Sequence, residues 1–436
     1  MKRFPPIASF SLLALIFSAG QIQAQSDGSE KLVRPRSVAA AAASQTSQQP
    51  AKQQTQQQPG VSTRRDDAAP ANVATPPLAD AEETVASSPG TVLQLTPALV
   101  HSRISEARRL LKSRPMQTAL TTPSIDWVTI AALDRETSRT HLVTFLKQTF
   151  LTKGAELTIT SSLGTSLNVR VLRANGVNTA LSVLTPDGKS LTPLLVEYPI
   201  ERGGLFREMA YYTSAHPSLL STDLTRSGQA YVRNMLDLAA KRLSEKGVAI
   251  SPTIINIAER LCIVEHTDHD RFRNENRLAL FSEIYSLYAL NEVDTYRYSV
   301  SVAGAGGMVQ MIPWAYNLMR QRHPGVGLIP DFVTAMRNHG NALQAMLLYM
   351  QDTWNDLSAN DDVKYALNAK IATPSELMAA GYNSNAAKLP SYIRRGGDDW
   401  KTLIPRETQM YLQIYKSFES LVPMKARTTL PAPTDD

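Results

Sequence analysis

From Ser251 to Leu421 the apolar side chains recur at steps of three and four residues. That period lines one face of each segment and fits helices rather than strands. The clearest case runs from Asn341 to Leu357, where Leu343, Met346, Leu347, Met350, Trp354 and Leu357 form one stripe. A stripe of this kind is a packing surface. The chain is therefore expected to carry a mainly α domain over 251–424, with a tail over 425–436.

The segment before it has a different rhythm. Leu157-Thr-Ile-Thr, Leu167-Asn-Val-Arg-Val-Leu172 and Leu181-Ser-Val-Leu alternate apolar and polar residues, the period of a half-buried strand. Asn175-Gly176 and Asp187-Gly188 are hairpin signals between such runs. A small antiparallel sheet is expected over about 155–198. Thr96-Pro97 marks a helix start, with proline at the first helical position and the helix reaching about Ser113. A second helix is expected over Leu219 to Glu245, where Val232, Met235, Leu236, Ala239 and Leu243 share a face. Residues 96–250 thus read as a small α+β module preceding the helical domain. It contains no acid–histidine–nucleophile set, so no chemistry is assigned to it.

Residues 25–95 are rich in Gln, Ala, Ser, Thr and Pro and poor in large apolar side chains. Such a tract buries too little surface to offset chain entropy and reads as a linker. Residues 1–24 read as a signal peptide: Lys2 and Arg3, an apolar run from Ile7 to Ala19, then Ala24 at the cleavage point. The run is too short to span a bilayer, and no cysteine follows it as a lipid attachment point. The expected location is the periplasm or the exterior, with no transmembrane anchor. The formal net charge is +6, which suits a polyanionic wall or membrane surface and is too weak to argue for nucleic acid. Cys262 is the chain's one cysteine. It excludes an internal disulfide, and its apolar neighbours make it a packed thiol.

The stretch from Glu292 to Gln310 carries the candidate chemistry. Leu278, Phe281, Tyr285, Tyr288 and Glu292 follow steps of three and four, so the glutamate continues an apolar face near a helix C-terminus. Desolvation and the helix dipole both disfavour an ionised carboxylate there. A carboxylic acid kept protonated is what glycosidic cleavage requires. Periodicity alone favours the plainer reading, a solvent-facing glutamate at a frayed helix end, because perturbed acids are a minority. Ala303-Gly-Ala-Gly-Gly307 reads on its own as a tight turn. No Gly-Lys-Ser/Thr follows it, which excludes a phosphate loop.

The spacing from Glu292 to Ser301, Gly304-Ala305, Gly307-Met308-Val309-Gln310 and Pro313 resembles that of the soluble lytic transglycosylases, whose fold is lysozyme-like. Ala380-Gly381-Tyr382-Asn383-Ser384-Asn385 and Ile404-Pro405-Arg406-Glu407-Thr408-Gln409-Met410-Tyr411 resemble two further segments of that family, in the same order. The likeness covers about 255–420. It implies Glu292 as the single acid/base, Ser301 near the substrate's N-acetyl group, and Met308 and Gln310 in the cleft wall. It also implies Tyr382 and Asn383 as the pair orienting acid and sugar, and Tyr411 as a hydroxyl facing the cleft. Read without the family, Met308 is half core, Asn383 a helix cap and Tyr411 a packed ring with a polar tip. Two departures stand beside the motif: Val293 replaces a serine, and Asn385 replaces a glycine, where asparagine tolerates a left-handed backbone.

The resemblance implies cleavage of the β-1,4 bond between N-acetylmuramic acid and N-acetylglucosamine in peptidoglycan, leaving 1,6-anhydro ends without metal or cofactor. A two-carboxylate hydrolase needs a second acid across the cleft. Asp294 is two residues away and Glu283 lies off the stripe, so neither fits well. The alternatives are a hydrolytic muramidase on the same scaffold and a non-catalytic peptidoglycan-binding protein. Glu265-His266-Thr-Asp268-His269-Asp270 has a weak metal-like spacing and reads as a solvated loop, because structural sites show firmer Cys/His sets. The expected partner is the glycan strand, with a wall or envelope protein as a candidate partner of the N-terminal module.

Overall fold

The computed structural model describes residues 93–114, 124–202, 204–213, 216–292 and 304–428. The segment read as a signal peptide, most of the segment read as a linker, Ser301, Val293 and the last residues of the tail lie outside them. The first helix, α1 (Pro97–Ser113), starts as its sequence dictates: Thr96 Oγ1 accepts the Leu99 amide at 3.3 Å, and Pro97 needs no hydrogen-bond partner.

Among the described residues seven strands follow: β1 (Trp127–Leu133), β2 (Thr140–Leu146), β3 (Glu156–Thr160), β4 (Ser166–Arg173), β5 (Ala180–Leu184), β6 (Ser190–Arg202) and β7 (Leu205–Tyr212). Their pairings are antiparallel, in the order β2-β1-β6-β5-β4-β3 with β7 also on β6. The expected strands are β3, β4, β5 and the start of β6. The turns after β4 and β5 contain Gly176 and Gly188, both at positive φ. The sheet nearly closes into a barrel. Just after β3, the Ser162 amide donates to the Leu142 carbonyl of β2 at 2.9 Å, and Ser161 Oγ lies 3.0 Å from His141 Nδ1. Alternate residues Val128, Ile130, Val143, Phe145, Leu167, Val169, Leu181 and Val183 join one core. Ala131, Leu133, Leu194 and Leu195 pack with Val100, Ile104, Ala107 and Leu111 of α1 in another. β1 is buried on both faces along most of its length, which removes the alternation by which a half-buried strand is read.

The helical part contains α2 (Thr222–Glu245), α3 (Pro252–Val264), α4 (His269–Asn274), α5 (Arg277–Leu290), α6 (Pro313–Arg322), α7 (Phe332–Arg337), α8 (His339–Ala359), α9 (Asp361–Asn368), α10 (Pro374–Asn383), α11 (Leu389–Gly396) and α12 (Arg406–Leu421). The stripe predicted for α8 is buried at Leu343, Met346, Leu347, Met350 and Leu357, with Trp354 partly covered. Sequence order groups α2 with the sheet module, yet it packs against α5 and α8. The α2–α5 approach depends on Gly228: a Cβ there would come within 1.9 Å of the Tyr285 carbonyl oxygen. The sheet and the helices lie in one compact unit and share a continuous apolar core.

Two buried ion-pair groups tie distant segments together. Glu283 of α5 accepts from Arg271 at 2.9 and 2.8 Å and from Arg173 of β4 at 3.0 Å. Burial raises the carboxyl pKa, but the two guanidinium groups outweigh it, and the net shift is downward. The candidate second acid is therefore an ionised strut between sheet and helices. At the other end, Arg427 reaches across α2 and α3 to Glu259 and Asp237, and its amide donates to Asn256 Oδ1 at 3.0 Å. The Arg427 and Glu259 side chains are each 5% exposed. Removing one partner of such a pair strands the other charge in the core, so Arg427→Ala is expected to cost roughly 3–5 kcal/mol. Urea unfolding checks this, and Arg427→Ala combined with Glu259→Gln should recover part of the loss.

Candidate functional site

α3 is apolar on all but one stripe, formed by Thr253, Asn256 and Arg260. Ile254, Ile255, Ile257, Ala258, Leu261, Cys262, Ile263 and Val264 are buried, and Glu265 stands at its C-cap. Burial pushes the Cys262 thiol well above its ordinary range, so it is a packed group and not a nucleophile. At the end of this helix the chain meets the three segments that the sequence singled out.

The glycine turn comes first. Gly304 and Gly307 adopt positive φ, as does Gln310 at 46°. A Cβ on Gly307 would lie 2.6 Å from the Met336 carbonyl oxygen, so both the backbone angle and the space require glycine. Gln310 curls back on its own turn, with Nε2 donating to the Gly307 carbonyl at 3.0 Å. Two side chains from elsewhere then hold the turn. His266 Nε2 donates to the Met308 carbonyl at 3.1 Å, and Tyr382 Oη donates to the Val309 carbonyl at 2.7 Å. Met308 is fully buried. Its side chain belongs to the core, not to an open cleft wall, and its carbonyl is the part that organises the site.

The remaining segments close the arrangement. Asn383, the last residue of α10, accepts from Thr408 of α12 at 2.8 Å, so it joins two helices. Tyr411 of α12 is buried except for a polar contact: its hydroxyl donates to Glu265 Oε1 at 2.8 Å. Asn385 has φ −89° and caps a short 3₁₀ turn through the Ala387 amide at 3.1 Å. No left-handed backbone is needed at that position, contrary to expectation.

Two further expectations are corrected. Glu292 does not continue the apolar face of α5. That helix ends at Leu290, and Asn291 breaks its period: Nδ2 donates to the Leu287 and Thr213 carbonyls, and Oδ1 accepts the Thr213 amide at 2.8 Å. Asn291 is buried and Glu292 is exposed. α5 is a central helix, buried on nearly every side from Leu280 onward, while Leu278 is 47% exposed. A stripe drawn along such a helix carries no information about which face is wet. Nor is the Glu265–Asp270 segment a solvated loop. Asp268 caps α4, accepting the Asp270 and Arg271 amides. His266 is half-buried and stacks edge-on to Tyr288 at 6.1 Å. Among the described residues no group of three or more His, Cys, Asp or Glu side chains is placed to hold a metal.

The protein surrounding His266 pushes its pKa down to about 4. Desolvation dominates, and the bond to the Met308 carbonyl partly opposes it. The ring is thus neutral near pH 7. The glutamate beside it in sequence and the histidine that pins the glycine turn were legible only as a weak metal-like spacing.

Searches against protein-family models, curated proteins and solved structures give no match for this chain.

Two predictions concern the turn. Gly307→Ala adds a strained angle and a backbone clash, and should destabilise by at least ~2 kcal/mol, read by urea unfolding. His266 is protonated near pH 6.5 when unfolded but not until about 4 when folded. Its contribution is therefore complete above pH 6.5 and is lost as pH falls toward 4. The residue as a whole is only half-buried, which holds this to about 2 kcal/mol. His266→Gln should flatten that part of the stability–pH curve.

Proposed function

We propose that the chain is a peptidoglycan lytic transglycosylase acting with one carboxylic acid and no cofactor on a lysozyme-like helical domain. The observation that carries this reading is the meeting of the three collinear segments. Residues 307–310, 382–383 and 408–411 are far apart in sequence, yet hydrogen bonds link them to one another or to the end of α3. The family likeness requires these segments around one substrate, and their proximity beside the end of α3 supports that reading.

The proposed reaction balances without a co-reactant. The acid gives its proton to the glycosidic oxygen as the bond from that oxygen to the anomeric carbon breaks. The substrate's acetamido oxygen supports the developing positive charge. The carboxylate then takes the proton of the same sugar's 6-hydroxyl while that oxygen bonds to the anomeric carbon. The acid is restored, and the product carries a 1,6-anhydro ring. Glu283 is committed to Arg271 and Arg173, so the opposed second carboxylate of a hydrolase is not supplied by that residue. The basic net charge suits a polyanionic wall, and export to the periplasm or exterior is part of the same proposal.

Mass analysis of purified sacculi digested with the protein tests this. Muropeptides with anhydro ends are expected. Reducing ends would mark a muramidase, and sacculus binding without release of fragments would mark a non-catalytic wall-binding protein.

A further inference from the structure

We infer that the proton-transferring acid is Glu265, at the end of α3, and not Glu292. This rests on the lytic reading above and changes which side chain performs it.

Both α3 and α5 are followed by a glutamate within two residues of their ends: Leu261-Cys-Ile-Val-Glu265 and Tyr288-Ala-Leu-Asn-Glu292. Spacing to the glycine turn selects the second, and the tertiary structure selects the first. Tyr411, in the third of the converging segments, donates its hydroxyl to Glu265 Oε1 at 2.8 Å. His266, the next residue, holds the Met308 carbonyl at 3.1 Å, and the adjacent Val309 carbonyl is held by Tyr382. Glu265 is thus one residue from a direct bond to the glycine turn and is itself bonded to α12. Each of the three segments is then one or two hydrogen bonds from this carboxyl or its neighbour, counting Asn383 through Thr408 of α12.

The same comparison weakens Glu292. It lies beyond the end of α5, past the buried Asn291, and is exposed. A proton donor in glycosidic cleavage must be held at a fixed place and orientation relative to the bond it attacks. Glu265 meets that requirement: the four residues before it are buried, its backbone amide completes α3, and one carboxylate oxygen accepts from a buried tyrosine. The carboxyl group so held is the carrier of the proton. The residue is half-buried, so it is held without being sealed in the core. On this assignment α4 and α5 are an insertion between the acid and the glycine turn. The role of α5 is then structural, since Glu283 receives Arg173 from the sheet and Tyr285 receives Gly228 of α2.

Sacculus digestion by wild type, Glu265→Gln and Glu292→Gln separates the possibilities. Glutamine keeps the acceptor for Tyr411 and removes the transferable proton. Glu265→Gln should lower release of anhydro-muropeptides by at least ~100-fold while still sedimenting with sacculi and melting near wild type. Glu292→Gln should stay within about 3-fold, the size of a surface change away from the chemistry. Tyr411→Phe removes a hydrogen bond that favours the carboxylate, so it should move the alkaline limb of the pH–rate profile, where the acid loses its proton, to higher pH, a shift that a purely packing tyrosine would not produce. If Glu265→Gln still cleaves, or if Glu292→Gln alone abolishes cleavage, the inference is overturned and the lytic reading stands. If wild type releases no fragments, the lytic reading itself falls. Should Glu265→Gln fail to fold, Glu265→Asp replaces it. Retracting the carboxyl by one methylene should slow release by ~10-fold or more while retaining sacculus binding, and unchanged release would overturn the assignment.

Discussion

The burial of α3 is the constraint on which the rest of the helical region depends. This helix packs against α2, α5, α8, α10 and α12 and is buried along most of its length, with only Pro252, Thr253, Asn256 and Arg260 reaching water. A helix so enclosed cannot shift without opening several contacts at once, because protein interiors are close-packed. Its buried charge, Glu259, is answered by Arg427 and Arg233, so the polypeptide after α12 returns to lock the helix from outside. Everything at the C-terminal end of α3 inherits that rigidity.

What inherits it is the site. His266 and Glu265 leave α3 in sequence and reach the glycine turn and α12 respectively. The turn is inflexible for local reasons, since Gly307 faces the Met336 carbonyl and Gln310 folds onto the turn. Tyr382 and Thr408 then connect α10 to the turn and α12 to α10. These are hydrogen bonds between half-buried or buried groups, where an unmade bond costs more than a made one returns. Such a network tolerates few alternative arrangements, as an orienting site requires.

Much of this is readable in the chain. The α1 cap at Thr96, the turns at Gly176 and Gly188 and the stripe of α8 follow from local rules, whereas the grouping of Tyr382, Asn383 and the glycine turn was implied by the family likeness alone. β1 and β2 do not, because burial on both faces of β1 erases its alternation. Sequence order attaches α2 to the sheet, whereas Gly228 sends it against α5. A period drawn through α5 ends on Glu292 and so selects it. That period holds for Phe281, Tyr285 and Tyr288 and fails at Asn291, whose side chain turns back to bond Leu287 and Thr213.

The sequence by itself determined most of the helical segments, strands β3 to β5 and the turns where only glycine fits. Those are short-range properties, set by side-chain period, φ and capping chemistry. Which of the two glutamates receives a hydroxyl from α12 was decided by tertiary structure alone. Both carry the same local signal, and they differ only in what the fold brings to them. Tyr411 arrives at Glu265 from 146 residues away, and no rule of local spacing reads a contact of that separation.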